Sequence, residues 1–467
     1  MKQKVIIKEI DIPEIQKPDR FPTYDSKDYE KRYSKLKEIM LSRNLDYIII
    51  YGDMWQFANI HYFMGIDLKF EQALLIIGKE TDPIFIAGNE GLPYAKHSTY
   101  KKLITLLFQP FSLQGQPHDK SVNLKHILTE CGINKKSNIG LIGAKYYPYY
   151  LDGEQVFDSP SYIIDTIKEI VGSDNMKNAT DVMTHCEYGL RNILSSKDIA
   201  FMECAGRLVC HGVKNVIENI KLGINEVEAS SYFNNSLNLP FSVPVIFGFG
   251  DKAYGNLAGP TYESILKKGD LICFGFGLWG ALMGRSGLAI SSSTDFSNAQ
   301  RQANVLENFF IPYFKAIVKW YENVRVGCTG GDVYRGIEEF VSNPAFGVGL
   351  NPGHLIHWDE WTNSPFYKNS NELLHSGMAI QCDIIASNRD LKLVLTVEDG
   401  IVLADRDLQA ELNSYYPGLM ARVIRRRDFL SNVLGINIDE TVCPLSDMQA
   451  MLHPYFLNHK VVLAIEN

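Results

Sequence analysis

The chain has 467 residues, of which 46% are hydrophobic and 21% are charged. This composition is typical of soluble globular proteins, and the length favours two or three domains. The formal net charge of −8 argues against a nucleic-acid-binding protein, because phosphate contacts need clustered Lys and Arg. The one basic run, residues 422–427, is interpreted as the face or the end of a helix.

Cysteine usage and hydropathy indicate where the protein works. The eight cysteines are scattered and form no Cys-x-x-Cys pair, a pattern typical of reduced thiols. The N-terminus has no long apolar region, so no signal peptide is expected. No apolar run reaches the ~18–20 residues that a membrane span needs. We therefore expect a cytoplasmic protein without a membrane anchor.

The first part of the chain alternates one helical pattern with short apolar runs. Asp28 to Arg43 has apolar residues at helical spacing. Strands are predicted at Tyr47–Tyr51, Ala73–Ile77 and Pro83–Ala87. Alternating helices and buried strands are typical of an α/β domain, which we place at residues 1–185.

The second part, residues 186–467, opens with a helix signal. Ser195 is followed three residues later by Asp198, which is a capping box. Asn225 is predicted to cap the next helix. The remaining predicted elements are strands at 271–278, 282–291 and 377–385, helices at 300–324 and 331–341, and a hairpin of strands 393–397 and 401–404.

Four short motifs in this second part resemble one family in their order and spacing. They are Gly269-Asp270 before LICFGFG, Gly353-His354, a Gly377-Met378 strand ending at Asp383, and Glu398-Asp399 within TVEDGIVLAD. Together they resemble the pita-bread hydrolases, which include Xaa-Pro aminopeptidases, Xaa-Pro dipeptidases and creatinase. The stretch YGDMWQFANIHYFMGIDLKFEQALLII resembles the N-terminal domain of the same family, so the likeness covers nearly the whole chain.

The resemblance implies a fold and a partner state. The fold class would be an α/β N-terminal creatinase-type domain plus an α+β pita-bread C-terminal domain. A homodimer is expected, because relatives are often dimeric. The ligand would be a small molecule or a short peptide, with neither nucleic acid nor membrane involved.

The metal site that the family implies is incomplete in this chain. Two metal-binding aspartates should fall at Gly275 and Ser286, and neither is an acid. The remaining ligand positions are His354, Asp383 and Glu398. One histidine and two acids are able to hold a single divalent ion, Mn, Co or Zn, by analogy with mononuclear sites. The alternative is that no metal binds.

The loop GHLIHWDEW adds further candidates. His357 and Glu360 are predicted as catalytic groups, although a packed histidine and a loop acid are the alternatives. Trp358 and Trp361 would wall a pocket or pack in a core. Arg285 is hypothesised to fill the space of the missing ion and to pair with Asp383 or Glu398; the alternative is a surface residue.

Three functions stay open on the sequence. The first is an Xaa-Pro peptidase-like hydrolase without the standard dinuclear centre. The second is a metal-free, creatinase-like hydrolase of a C–N bond in a small molecule. The third is a pseudoenzyme that binds a peptide or small ligand without turning it over.

Overall fold

The computed structural model describes residues 4–120, 122–255 and 257–466. They form two compact units. The first unit is Thr23–Arg191, and the second joins the segment up to Pro22 to the chain from Asn192 onward. The sequence prediction places a border at 185/186 and assigns the N-terminal segment to the first domain. In the structure that segment joins the second unit, because its strand β1 (Val5–Glu9) pairs antiparallel with Val461–Ile465.

The first unit contains a six-stranded mixed sheet flanked by short helices. Its strands are β2 (Tyr47–Gly52), β3 (Ala73–Gly78), β4 (Ile84–Ala87), β5 (Ile104–Leu107), β6 (Ile139–Ile142) and β7 (Met176–Asn178). They are ordered β5-β4-β3-β2-β6-β7. Its helices are α1 (Ser26–Ser42), α2 (Ala58–Met64), α3 (Gly91–Tyr94), α4 (Leu124–Glu130), α5 (Ser161–Val171) and α6 (Asp181–Thr184). The three predicted strands and the first helix are confirmed.

The second unit is built on a larger sheet. Its strands, besides β1, are β8 (Ile246–Phe249), β9 (Leu271–Leu278), β10 (Ala281–Leu288), β11 (His354–Leu355), β12 (Ala379–Cys382), β13 (Ala386–Asn388), β14 (Leu393–Leu395), β15 (Val397–Leu403), β16 (Val442–Pro444) and β17 (Val461–Ile465). Seven of them form one sheet, in which β11-β12-β15-β10-β9-β8 lie in that order and β16 also pairs with β15.

Eight α-helices complete the second unit as the structure describes it. They are α7 (Ser196–Asn219), α8 (Glu226–Ser231), α9 (Gly250–Tyr254), α10 (Asn298–Gln302), α11 (Ile311–Asn323), α12 (Gly330–Val341), α13 (Arg406–Tyr415) and α14 (Pro417–Asp428). The Ser195 capping box is confirmed, since the Ser195 side chain accepts from the Asp198 backbone N–H and Asp198 accepts from the Ser195 N–H. Among the described residues, no helix is long and apolar enough to cross a membrane.

Two predicted elements of the second unit are wrong. The helix predicted at 300–324 is interrupted: Asn304 has a positive φ of 45°, which right-handed helix excludes. The hairpin predicted around Glu398 is absent, because β15 runs unbroken from Val397 to Leu403 between β10 and β12. Glu398 therefore projects from the first part of a central strand, as its second residue, and not from a turn.

Candidate metal centre

Four neighbouring strands of the large sheet carry the centre of the site. Their register sets Glu398 on β15 opposite Gly284 on β10, and Gly284 opposite Gly275 on β9. Directly opposite residues share a face of a sheet. On the other side of β15, Cys382 is opposite Asp399, so Asp383 comes next to Glu398 in the register. The sheet thus gathers two acids and two glycines on one face.

A short strand and a folded loop bring a histidine and a third acid to the same place. His354 lies on β11, which pairs with β12, and its side chain is fully buried. The following loop closes on itself, because the Leu355 N–H donates to the Asn363 carbonyl (2.7 Å) and the Thr362 N–H donates to the Leu355 carbonyl (2.9 Å). This closure returns Glu360 towards His354.

The distances within this group fit a metal ion. Nε2 of His354 lies 3.4 Å from Oε1 of Glu360 and 3.5 Å from Oε1 of Glu398. One ligand atom from each of these three residues lies within 4.8 Å of the other two. We call these three residues the His354 cluster. An imidazole with two carboxylates is a donor set that divalent transition metals accept.

The electrostatics of the site favour the binding of a cation. Nε2 of His354, Oδ1 of Asp383 and Oε1 of Glu398 are buried without a hydrogen-bond partner among the described residues. Burial and the neighbouring Glu398 charge raise the pKa of Asp383 to about 8. Burial and the Glu360 charge raise the pKa of Glu398 well above its usual value, and burial raises that of Glu360. Buried acids held this close need a cation or protons between them.

Comparison with known proteins gives the fold. No family model and no curated protein matches the sequence. Solved structures do match. An Xaa-Pro dipeptidase from Bacillus anthracis is 14% identical over 81% of this chain and 96% of its own, with a TM-score of 0.60. Dipeptidase PepE from Mycobacterium ulcerans is 15% identical over 82% and 94%, with a TM-score of 0.62. An X-Pro aminopeptidase from Thermotoga maritima is 15% identical over 80% and 95%, with a TM-score of 0.60.

The chain has the pita-bread fold. At this level of identity the likeness carries the architecture alone, because one fold hosts many chemistries. What this pita-bread protein binds has to be argued from its own site residues.

The two positions where the family pattern expects aspartates lie on the face of the sheet that carries Glu398. Gly275 lies opposite Gly284, which in turn lies opposite Glu398. Ser286 comes two residues after Gly284 on β10, so its side chain is on the same face. Position 275 has room, since a Cβ there would meet only Ile246, at 3.7 Å. The Ser286 hydroxyl is already used, because it accepts from the Thr396 N–H at 2.8 Å. Neither position supplies a carboxylate for a second ion.

The hypothesis for Arg285 is wrong in its partner. Because side chains alternate along a strand, Arg285 projects from the face opposite to Glu398. Its Nη2 donates to both oxygens of Asp399, at 2.8 and 3.0 Å, and its Nη1 donates to the Glu398 carbonyl at 3.0 Å. Both side chains of this ion pair are buried. Burial raises the pKa of Asp399, while the Arg285 charge opposes that rise.

The other candidates of the loop divide into two groups. Trp361, 39% exposed, stacks on the His354 ring with centroids 4.1 Å apart, so it forms a wall of the site. Trp358 is buried and meets the His357 ring edge-on at 4.0 Å, which is core packing. A catalytic role for His357 stays a prediction.

The sequence named all residues of the site, but it assigned one of the three ligand positions to a different acid. It predicts His354, Asp383 and Glu398 as ligands, whereas the ligand atoms that meet belong to His354, Glu360 and Glu398. Asp383 lies beside them, since its charge acts on Glu360. The sequence shows Glu360 six residues after His354, in the same loop. Only the closure of that loop brings the two side chains together.

Proposed function

We propose that this chain is a hydrolase of short peptides or small amides that uses one divalent ion, Mn, Co or Zn, held by the His354 cluster. The observation that carries the proposal is the buried Nε2 of His354, which has no hydrogen-bond partner in the described part of the chain and lies 3.4 and 3.5 Å from carboxylate oxygens of Glu360 and Glu398. A protein interior tolerates such a group only with a ligand or protons in its centre.

The three residues of the His354 cluster differ in exposure, and we infer their roles from this difference. His354 is fully buried and the Glu398 side chain is 11% exposed, whereas the Glu360 side chain is 27% exposed. Glu360 is therefore the member that an entering water or substrate reaches first, and the carboxylate oxygen of Glu360 that does not hold the ion would accept a proton from that water. A bound ion would supply Lewis-acid polarisation of the scissile carbonyl and a more acidic water.

Trp361 would set the shape of the substrate subsite. Its ring is stacked on His354 and still partly open, so it offers a flat apolar surface next to the cluster. Flat apolar walls with a few polar groups are typical of sites for small ligands. We therefore expect a compact apolar group, such as a pyrrolidine ring, to pack on this surface.

The experiment starts from protein stripped with chelator and reloaded with Mn, Co or Zn. Hydrolysis of Ala-Pro and Gly-Pro dipeptides is then followed for the wild type, Glu360→Gln, Glu398→Gln and the control Glu263→Gln, an exposed acid. We expect turnover only in the reloaded protein, lost in both cluster variants and kept in the control. Turnover that survives chelation would contradict the proposal and favour a metal-free hydrolase.

A non-catalytic binding protein is the second candidate. The observation in its favour is that neither Gly275 nor Ser286 offers a carboxylate to a second ion. It predicts that a dipeptide raises the unfolding temperature in a saturable way without any release of free amino acids. Amino-acid release under the same conditions would exclude it.

A further inference from the structure

The basic run of the sequence lies on α14 and packs against a buried acid. Arg422 donates from Nε and Nη2 to the two oxygens of Glu203 on α7, both at 2.7 Å. Arg426 donates from Nη2 to Glu203 at 3.0 Å. Glu203 is fully buried. The interpretation of the run as a helix face is confirmed, and its arginines are held in fixed positions.

The positive charge around Glu203 exceeds what one carboxylate offsets. Arg207 is a third guanidinium beside it, with Nη1 3.6 Å from Oε2. Arg426 has a second partner in Asp447, at 3.1 Å. Arg207 and Arg422 have no other acid among the described residues, so the excess of positive charge falls on these two.

These two arginines line a surface cavity together with two further cations. The cavity has a volume of about 500 Å³ and is lined also by Lys17 and Arg20, with Asp19 as its one acid. Lys17 and Arg20 are exposed, and no ion pair within the described ranges holds either side chain. We call this site the Arg422 cavity.

Two guanidinium groups of the Arg422 cavity are held in fixed positions. Arg207 donates from Nε to the Gln16 carbonyl (2.6 Å) and from Nη2 to the Lys17 carbonyl (2.7 Å). Arg422 is fixed by Glu203 through Nε and Nη2, and its Nη1 group has no acceptor among the described residues. Arg207 thus contributes its charge, while Arg422 Nη1, Lys17 and Arg20 supply donors to an anion with several oxygens, because each oxygen accepts a charge-assisted hydrogen bond.

We propose that the Arg422 cavity binds a small dianion of the phosphate type, either inorganic phosphate or a phosphate monoester. Four cations and one acid, Asp19, line the cavity in a chain whose net charge is −8, so the local charge is opposite to that of the whole molecule. The cavity involves none of the residues of the His354 cluster, and this binding is independent of the proposed hydrolysis.

Thermal unfolding of the full chain tests the proposal. Sodium phosphate, methyl phosphate and sodium chloride are titrated at constant ionic strength. The variants are Lys17→Gln/Arg20→Gln, which leaves the Glu203 pairs intact, and Lys221→Gln/Lys315→Gln, which removes the same charge at exposed positions elsewhere. Loss of charge-assisted hydrogen bonds should weaken phosphate binding by about tenfold or more.

We expect a saturable rise in unfolding temperature with phosphate or methyl phosphate, and none with chloride. The rise should persist in the control pair and shift to higher concentration in Lys17→Gln/Arg20→Gln. Stronger binding of methyl phosphate would identify a monoester as the ligand, and stronger binding of phosphate would identify the free ion. An equal response to chloride, or unchanged binding in Lys17→Gln/Arg20→Gln, would overturn the proposal.

Discussion

Replacing Arg285 with methionine is expected to destabilise the second unit strongly. Arg285 forms a buried, two-point pair with Asp399, and it also donates to the carbonyls of Gly284, Glu398 and Met448. These bonds tie β10 to β15, the strand that carries Glu398. The methionine side chain fills much of the same volume but leaves Asp399 buried without its counter-ion.

The expected magnitude follows from the burial of the pair. Arg285 and Asp399 have side chains 1% and 0% exposed, so solvent does not screen the loss. Removing one partner of a buried ion pair costs about 3–5 kcal/mol, whereas replacing both partners by apolar residues is often close to neutral. Arg285→Met should therefore cost more than Arg285→Met/Asp399→Leu.

Urea unfolding followed by tryptophan fluorescence measures this difference. Four of the five tryptophans lie in the second unit, so the signal reports mainly on it. The unit's own transition is compared among the wild type, Arg285→Met, Asp399→Leu and the double variant. A loss below about 1 kcal/mol for Arg285→Met, the level of an exposed pair, would refute the reasoning.

Three further predictions concern the site and the network behind it. Gly275→Asp combined with Ser286→Asp should raise the retained metal by one equivalent per chain, measured by elemental mass spectrometry. Gly284→Ala should weaken metal retention by about tenfold, because its Cβ would lie 3.1 Å from Oε2 of Glu398, whereas Gly275→Ala meets nothing closer than 3.7 Å and should not. Burial alone would raise the pKa of Glu203, but the surrounding arginines hold it below its usual value. A carboxyl group whose pKa is lowered in the folded state stabilises the fold at pH values above its unfolded-state pKa. The urea concentration at the unfolding midpoint should therefore decrease as the pH is lowered below about 4.5, and it should decrease less steeply in Glu203→Gln.

The sequence predicted most of the fold because its signals are local. Ser195 with Asp198 marked a helix start, and the apolar run at 271–278 marked a central strand. Pairing between distant segments has no local signal, which is why the partnership of β1 with β17 was missed. The supposed hairpin at 393–404 failed because Gly400 lies inside a strand and does not form a turn.

The site was predictable in its residues and less so in their directions. His354 and Glu398 followed from motifs. The orientation of Arg285 is set by strand alternation, which the hypothesis overlooked: Arg285 directly precedes Ser286 in β10 and therefore projects from the other face. The meeting of Glu360 with His354 depends on two backbone hydrogen bonds of the loop, at 2.7 and 2.9 Å, which no pattern of residue types encodes.

Metal stoichiometry tests the central claim most directly. Untagged protein is incubated with Mn, Co or Zn, desalted and analysed by elemental mass spectrometry, beside His354→Ala and the exposed-acid control Glu263→Gln. The His354 cluster predicts one equivalent per chain in the wild type and the control, and loss of that equivalent in His354→Ala. Two equivalents in the wild type, or none, would contradict a single-ion site.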